Sequence, residues 1–318
     1  MAKDRLLLSV VCPAFEEEQV LACFHLALAD ALRPVHEAFD IEIIYVDDGS
    51  RDRTFEVIRE LAVHDQRVRG ISLSRNFGQQ AALTAGLESA RGDAVVMLDS
   101  DLQHPPTLIP LLVAQWQAGY DVVQTVRDDD LNSSRFKRLS SRAFYQVLQY
   151  LSDLEVRPAA ADFRLLSRRA LDSLLRMDES HRYLRGMVQW IGFRVAEIRF
   201  RPDARPAGKS KYTLSKMLRL AFDGLYSFSR APLRLGVSVG LAMTALSLLA
   251  TLGLALTNGG GFWIAAVLVT GHAILASLFT VLGAIGEYVS RTYEQCKRRP
   301  LYVIQQEIPA RTNQRLAA

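Results

Sequence analysis

The sequence predicts an α/β protein: a mostly parallel sheet domain, then amphipathic helices lying on a membrane interface, then two transmembrane helices. Three observations predict it. Short apolar runs alternate with stretches of helical apolar spacing over the first part of the chain. Acid-bearing stretches, Phe15-Glu16-Glu17, Asp47-Asp48-Gly49 and Asp99-Ser100-Asp101, fall where three of those runs stop. From Leu235 to Gly286 there is no Asp, Glu, Lys or Arg. That block is long enough for two crossings at about 20 apolar residues each.

Taken in order, LLLSVVCPAF reads as a buried strand. Glu16 to Leu32 shows helical spacing at Val20, Leu21, Phe24, Leu28 and Leu32. IEIIYVDDGS is a second strand ending in acids and a glycine turn. DRTFEVIRELAVHD is a helix with Asp52 or Ser50 as N-cap. VRGISLSRN is a third strand, GQQAALTAGLESARG a helix closed by Gly92, and DAVVMLDSD a fourth strand. Pro106 to Ala118 is a helix with proline near its start, and DVVQTVR a fifth strand. Sheets built this way bind ligands at the carboxyl ends of their strands.

After Arg127 the pattern is helical and basic, in RFKRLSSRAFYQVLQYL. AADFRLLSRRALDSLL is a short strand into a helix, and HRYLRGMVQWIGFRVAEIRFR a helix and then a strand. RPDARPAGKSKY, rich in proline and positive charge, is a loop. TLSKMLRLAFDGLYSFSRAPLR places Leu214, Met217, Leu218, Ala221, Phe222 and Leu225 on one face, directly before the uncharged block, so we read it as interfacial. The spans run roughly from Leu235 to Leu256 and from Phe262 to Val289, joined by TNGGG. Basic residues before the first and after the second put both ends in the cytoplasm. His272 in the second span is expected to hydrogen-bond a neighbouring helix or subunit, the alternative being a functional role. PLYVIQQEI can add a strand to a sheet.

Net charge is +4, with positive residues concentrated from Arg194 to Arg234 and from Arg291 to Arg299. Beside membrane spans such clusters point to anionic headgroups rather than nucleic acid. The 3 cysteines, Cys12, Cys23 and Cys296, are odd in number and have no metal-type spacing, which suggests reduced thiols. The charged N-terminus leads directly into a strand-like run, so no signal peptide is expected there.

There is no G-x-G-x-x-G after the first strand and no G-x-x-x-x-G-K-[ST] anywhere, so dinucleotide and Walker-type binding lose their best signals. What remains is acids at strand ends. Two carboxylates at Asp99 and Asp101 repel each other and are costly to desolvate. Either water solvates them on a loop, or a cation sits between them. Mg²⁺ or Mn²⁺ fits, since such hard ions take one or two carboxylates plus phosphate oxygens.

VVCPAFEEE, YVDDGSRDRT, SRNFGQQAALTAGL and VMLDSDLQHPP, in this order, resemble glycosyltransferase family 2. With ADFRLLSRR, RYLRGMVQWIGF, GKSKYTLSKMLRLAFDG and GEYVSRTYEQCKRRPLYV they resemble its polyprenyl-phosphate glycosyltransferase branch, the group with dolichyl-phosphate mannose synthase and the bacterial undecaprenyl-phosphate sugar transferases. The match runs from about Leu8 to Val303. The resemblance implies a cytoplasmic GT-A (Rossmann-like) catalytic domain over 1–208, interfacial helices over 209–234, a transmembrane hairpin over 235–289 and a cytoplasmic tail over 290–318. It implies inverting, metal-dependent transfer of one sugar from a UDP- or GDP-sugar to a polyprenyl phosphate, undecaprenyl phosphate by expectation, at the cytoplasmic face of the membrane. Relatives suggest a homo-oligomer, a tetramer, and nothing implies nucleic acid.

Carried over by position, Pro13, Phe15 and Glu17 line the nucleoside pocket, and Asp47, with Asp48 beside it, contacts base or ribose. Asp99 and Asp101 meet the metal and diphosphate, with Gln103 completing the site. Asp162 is the candidate base or acceptor-orienting acid; the alternative is a helix N-cap or a partner for Arg164. Arg127, Lys137, Arg138, Lys209 and Lys211 are candidates for the lipid phosphate and diphosphate. The chain departs from the family's usual spelling twice: Glu16 stands where Asn is usual, and His104 where Asp is usual.

Two other functions fit the sequence less well. A processive polysaccharide synthase needs a Gln-x-x-Arg-Trp motif and more spans; VQWIGFR has Gln189 and Trp190 without that pattern. A non-catalytic membrane scaffold of the same fold is disfavoured by the intact set of acids.

Overall fold

The computed structural model describes residues 5–127, 160–200, 231–255 and 260–309. These fall into two compact units, one of 5–127, 160–200 and 300–309, the other of 231–255 and 260–299. Lys137, Arg138, Lys209, Lys211 and most of the expected interfacial helix lie outside the described residues; of Arg127 the backbone alone is described.

The first unit alternates as expected through its first half: β1 (Leu7–Ala14), α1 (Leu21–His36), β2 (Asp40–Asp47), α2 (Thr54–His64), β3 (Val68–Leu73), α3 (Gln79–Ser89) and β4 (Ala94–Met97). A 3₁₀ turn (Pro106–Leu108) leads into α4 (Ile109–Gln117) and β5 (Val122–Arg127). Then come β6 (Ala160–Ser167), α5 (Arg168–Leu175), α6 (Leu184–Trp190), β7 (Val195–Phe200) and, from the far end of the chain, β8 (Ile304–Ile308). Alternate residues of β1 and β2 (Leu8, Val10, Cys12, Ile41, Ile43 and Tyr45) join Phe24, Leu28, Ile58, Ile109 and Leu112 in one apolar core. On the opposite face α3 closes on β1 at Gly86, where a Cβ would fall 2.3 Å from Val11 Cγ1.

The sheet is mostly parallel, as expected, but two of its strands, β6 and β8, run against the others. The order is β7-β5-β6-β4-β1-β2-β3-β8. β1 pairs parallel with β2 and β4, β2 with β3, and β5 with β7. β6, however, inserts between β4 and β5 and is antiparallel to both. β8 is antiparallel to β3. A periodicity identifies a strand but not its neighbour, which is chosen by contacts across the whole chain. The insertion has a consequence for the site. Met97 lies opposite Arg164 in the β4–β6 register. Extending both strands by two residues in opposite directions brings Asp99 level with Asp162.

Three local expectations also shift. α1 begins at Leu21, because Glu16 has φ 53 and interrupts any helix through it. α2 has Arg53 as its N-cap, not Asp52 or Ser50, although Asp52 Oδ1 accepts the Thr54 N–H at 3.1 Å. α3 ends at Ser89, ahead of Gly92, whose N–H donates to Ser9 Oγ at 2.8 Å.

PLYVIQQEI does add a strand. Ser74 N–H donates to Val303 O at 2.9 Å, and the Tyr302 hydroxyl bonds the Glu88 carboxylate. Part of the segment expected as a tail is therefore an edge strand of the sheet.

The second unit holds α7 (Ala231–Ala255) and α8 (Gly260–Cys296). Gly236, early in α7, lies so close to Val281, late in α8, that a Cβ would stand 3.0 Å from Val281 Cγ2. The two helices therefore form an antiparallel hairpin. Among the described residues, Val269–Cys296 are long and apolar enough to cross a membrane, and Gly236–Leu249 form a shorter apolar stretch. Leu241, Leu248, Val269 and Phe279 are all more than 60% exposed. Thr244, Ser277 and Thr280 donate their hydroxyls to carbonyls one turn back, so these polar groups do not need water.

Candidate active site

The three acid-bearing stretches converge at the carboxyl edge of β1, β2 and β4. The loop after β1 is braced by the turn after β2. Glu16 N–H donates to Ser50 Oγ at 2.9 Å, Glu17 N–H to Thr54 Oγ1 at 2.9 Å, and Asp48 N–H to Ala14 O at 2.9 Å. Pro13 is buried, and its carbonyl accepts from Ser100 Oγ at 2.8 Å, which ties the end of β1 to the end of β4. Phe15 and Glu17 are half-buried on the same loop.

Asp47 and Asp48 are both buried, and the structure puts both to work on the loops. Asp47 accepts from Ser50 N–H at 3.0 Å and from Ser72 Oγ at 2.9 Å. Asp48 accepts from the N–H groups of Phe77 and Gly78 at 2.8 and 2.9 Å. Burial raises the Asp48 carboxyl above its usual range against those two N–H donors. Together the pair holds residues 72–78 and so aims the first turn of α3. Gly49 follows them at φ 66, and a Cβ there would lie 2.2 Å from the Arg75 carbonyl carbon. Only glycine fits.

α3 opens on two glutamines that work in different directions. Gln79 Nε2 donates to Asp99 Oδ1 at 2.8 Å. Gln80 Oε1 accepts the Leu184 N–H at 3.1 Å and so fixes the start of α6. Asp101 Oδ1 accepts the Gln103 N–H at 3.0 Å, closing a tight turn in which Leu102 has φ 59. Glu16 and Leu102 thus put left-handed, non-glycine backbone on both loops of this edge, a strain of about 1–3 kcal/mol each.

Asp162 arrives on β6, and it is not a helix N-cap. Arg185 of α6 grips it with both arms, Nε to Oδ1 and Nη2 to Oδ2, each at 2.7 Å. Arg164, 1% exposed, stands behind with Nη2 at 3.5 Å from Oδ1. Burial alone would push the Asp162 carboxyl up, but Arg185 and then Arg164 pull it down to about 2. Asp99 goes the other way. Burial, then the charges of Asp162 and Asp101, raise it to about 7 against Gln79 and Arg185. His104 is buried between the rings of Phe163 and Phe200, with centroids 5.9 and 5.6 Å away, and its Nδ1 is 3.8 Å from Asp99 Oδ2. An aromatic slot suits an imidazole better than a carboxylate.

The structure therefore brings Asp99, Asp101 and Asp162 into one electrostatic cluster, with His104 beside it. Arg185 and Gln79 were missed by the sequence reading. Both lie in stretches singled out for resemblance, but nothing in their spacing named a partner. A groove of about 720 Å³ lined by residues of α1 and α2, among them Ala22, His25 and Leu61, contains none of the site residues.

Among the described residues no three His, Cys, Asp or Glu side chains are grouped to hold a metal ion by themselves. Two carboxylates are what Mg²⁺ asks of a protein when phosphate oxygens supply the rest. The raised Asp99, facing two more carboxylates, is a site whose charge a divalent cation would relieve, so the residues fit one.

The sequence profile of glycosyl transferase family 2 matches residues 9–175. The chain is 37% identical over 306 residues to an uncharacterized glycosyltransferase, YkcC, of Bacillus subtilis (strain 168), covering 93% of each. It is 33% identical over 312 residues to the prophage bactoprenol glucosyl transferase homolog of Escherichia coli (strain K12), covering 93% of this chain and 98% of that one. Among solved structures, glucosyl-3-phosphoglycerate synthase of Mycobacterium tuberculosis with Mn²⁺, UDP-glucose and phosphoglyceric acid is 22% identical, with a TM-score of 0.47, covering 70% of this chain and 78% of that one. A likeness that distant carries no argument about ligands here.

Proposed function

Because this chain belongs to glycosyl transferase family 2, we propose that it moves a single sugar from a nucleotide-diphosphate sugar to a polyprenyl phosphate, with inversion and with help from a divalent cation. The observation that carries the proposal is the convergence of Asp99, Asp101 and Asp162 at one sheet edge, in a chain similar over nearly its full length to proteins named bactoprenol glucosyl transferases.

A phosphate oxygen of the acceptor forms the new bond to the anomeric carbon as the bond from that carbon to the nucleotide diphosphate breaks. The acceptor's second pKa is about 6, so at pH 7 it is already mostly ionised and needs no strong base. Asp162, held ionised by Arg185, orients that acceptor rather than taking a proton from it. Asp99 and Asp101 would hold a divalent cation, which would supply charge compensation for the leaving diphosphate. Gln103 lies on the tight turn that Asp101 closes. Pro13, Phe15 and Glu17 form the nucleoside side of the pocket, and Asp47 and Asp48 shape it through the loops they brace. Arg127, Lys137, Arg138, Lys209 and Lys211 meet the acceptor phosphate.

The hairpin of α7 and α8 spans the membrane twice, with the sheet unit on the cytoplasmic side. The exposed apolar side chains and internally bonded hydroxyls of the hairpin support the spanning, and the basic residues flanking the uncharged block support the cytoplasmic side. Incubation with undecaprenyl phosphate, Mg²⁺ and a panel of UDP- and GDP-sugars, with mass detection, should give one glycosylated lipid. No product from any sugar overturns the proposal, and a polymer in place of a single-sugar lipid overturns its single-transfer step.

A further inference from the structure

The proposed reaction uses Arg185 only to keep Asp162 ionised. Arg185 is the second residue of α6, whose first N–H is fastened to Gln80 of α3. The adjacent Gln79 holds Asp99. One helical turn thus sets both the Asp99 carboxylate and the helix that carries Arg185. The guanidinium reaches Asp162 through two parallel contacts of 2.7 Å, the planar fork geometry that fixes a carboxylate in both position and tilt. Asp162 is 9% exposed, whereas Arg185 is 32% exposed, so the arginine forms the open side of the pair.

Charge makes the same point. Without compensation, Asp162 would add a third negative charge beside Asp99 and Asp101. An anionic phosphate nucleophile approaching that edge would be repelled. Arg164 is buried behind Asp162, at the longer distance of 3.5 Å. Arg185 is the closer cation and the one that meets solvent.

We propose that Arg185 is a positioning residue for the transfer: it pins the Asp162 carboxylate in one orientation and shields its charge from the incoming acceptor phosphate. This rests on the acceptor being a phosphate, as proposed above. Arg185 acts through Asp162, so its removal should lower kcat and raise KM for the polyprenyl phosphate while KM for the sugar nucleotide changes little. Loss of a group that orients a site residue typically lowers activity about 10–100-fold.

The test uses the full-length chain in detergent with the sugar that the wild type accepts. Arg185→Ala should lose about 10–100-fold in kcat/KM for the lipid, and millimolar guanidinium should restore a measurable part, since a small planar cation can enter a position one-third open. Arg185→Lys should recover less than guanidinium does, because an ammonium cannot make the parallel pair. Asp162→Asn combined with Arg185→Ala should be no slower than Asp162→Asn alone. The inference is overturned if the losses multiply in the double variant, if guanidinium restores nothing in a sample that binds sugar nucleotide normally, or if Arg185→Ala matches the wild type. A wild type that makes no lipid product with any sugar instead overturns the functional proposal itself, and the inference with it.

Discussion

Replacing Gly49 by alanine tests whether the loops after β2 and β3 are as tightly matched as the site requires. Two penalties apply. The residue sits at φ 66, and the new Cβ would lie 2.2, 2.6 and 2.7 Å from the carbonyl carbon, Cα and carbonyl oxygen of Arg75. All three are backbone atoms, so no rotamer change relieves the clash. Gly192 provides the control. Its φ of 69 is nearly the same, but its Cβ would meet nothing nearer than Trp190 O at 3.9 Å. Left-handed strain alone costs about 1 kcal/mol, and overpacking against fixed atoms adds about 1–3 kcal/mol. Gly49→Ala should therefore destabilise by about 2–4 kcal/mol and Gly192→Ala by about 1 kcal/mol. In a unit of this size that is a Tm fall on the order of 10 °C against about 3 °C, read by thermal unfolding in detergent. Activity should fall further than the folded fraction in Gly49→Ala alone, because pushing Arg75 away drags Phe77 and Gly78 off Asp48, and with them Gln79 and Gln80. Equal Tm shifts in the two variants would refute the steric reasoning.

Other outcomes follow from the same contacts. Glu16→Asn, which restores a residue that tolerates the left-handed backbone at φ 53, should stabilise by about 1 kcal/mol, seen as a higher Tm; an unchanged or lower Tm counts against strain at that loop. Asp65 would be raised by burial, but His25 and Arg67 hold its carboxyl well below the usual range. A depressed folded value gives stability that is complete above the unfolded pKa of about 3.9 and lost as pH falls below it. The stability gap between wild type and Asp65→Asn, from urea midpoints, should therefore be wide at neutral pH and shrink in acid; a gap independent of pH contradicts the assignment. Asp101→Asn should reduce transfer about 100-fold or more, and chelation of divalent ions should silence the wild type until Mg²⁺ or Mn²⁺ is restored; full activity in either case removes the cation from the mechanism.

Much of this protein is legible in local sequence. The alternation of apolar runs and helical spacing marks the elements from Leu7 to Arg127, and PLYVIQQEI is recognisable as a strand far from the others. The acids at the ends of β1, β2 and β4 mark the edge where chemistry belongs, because a parallel βαβ order dictates that edge. The long uncharged block marks the second unit. These features depend on period, charge and chain direction, which neighbouring residues carry by themselves. Tertiary structure decided the rest. No local signal says that β6 enters antiparallel between β4 and β5, yet that insertion is what sets Asp162 level with Asp99. Nor does spacing reveal that Asp47 and Asp48 brace loops, that His104 lies between Phe163 and Phe200, or that Arg185 grips Asp162. A strand's period names its faces but not its neighbour, and a charge on a loop finds its partner only when the chain has folded.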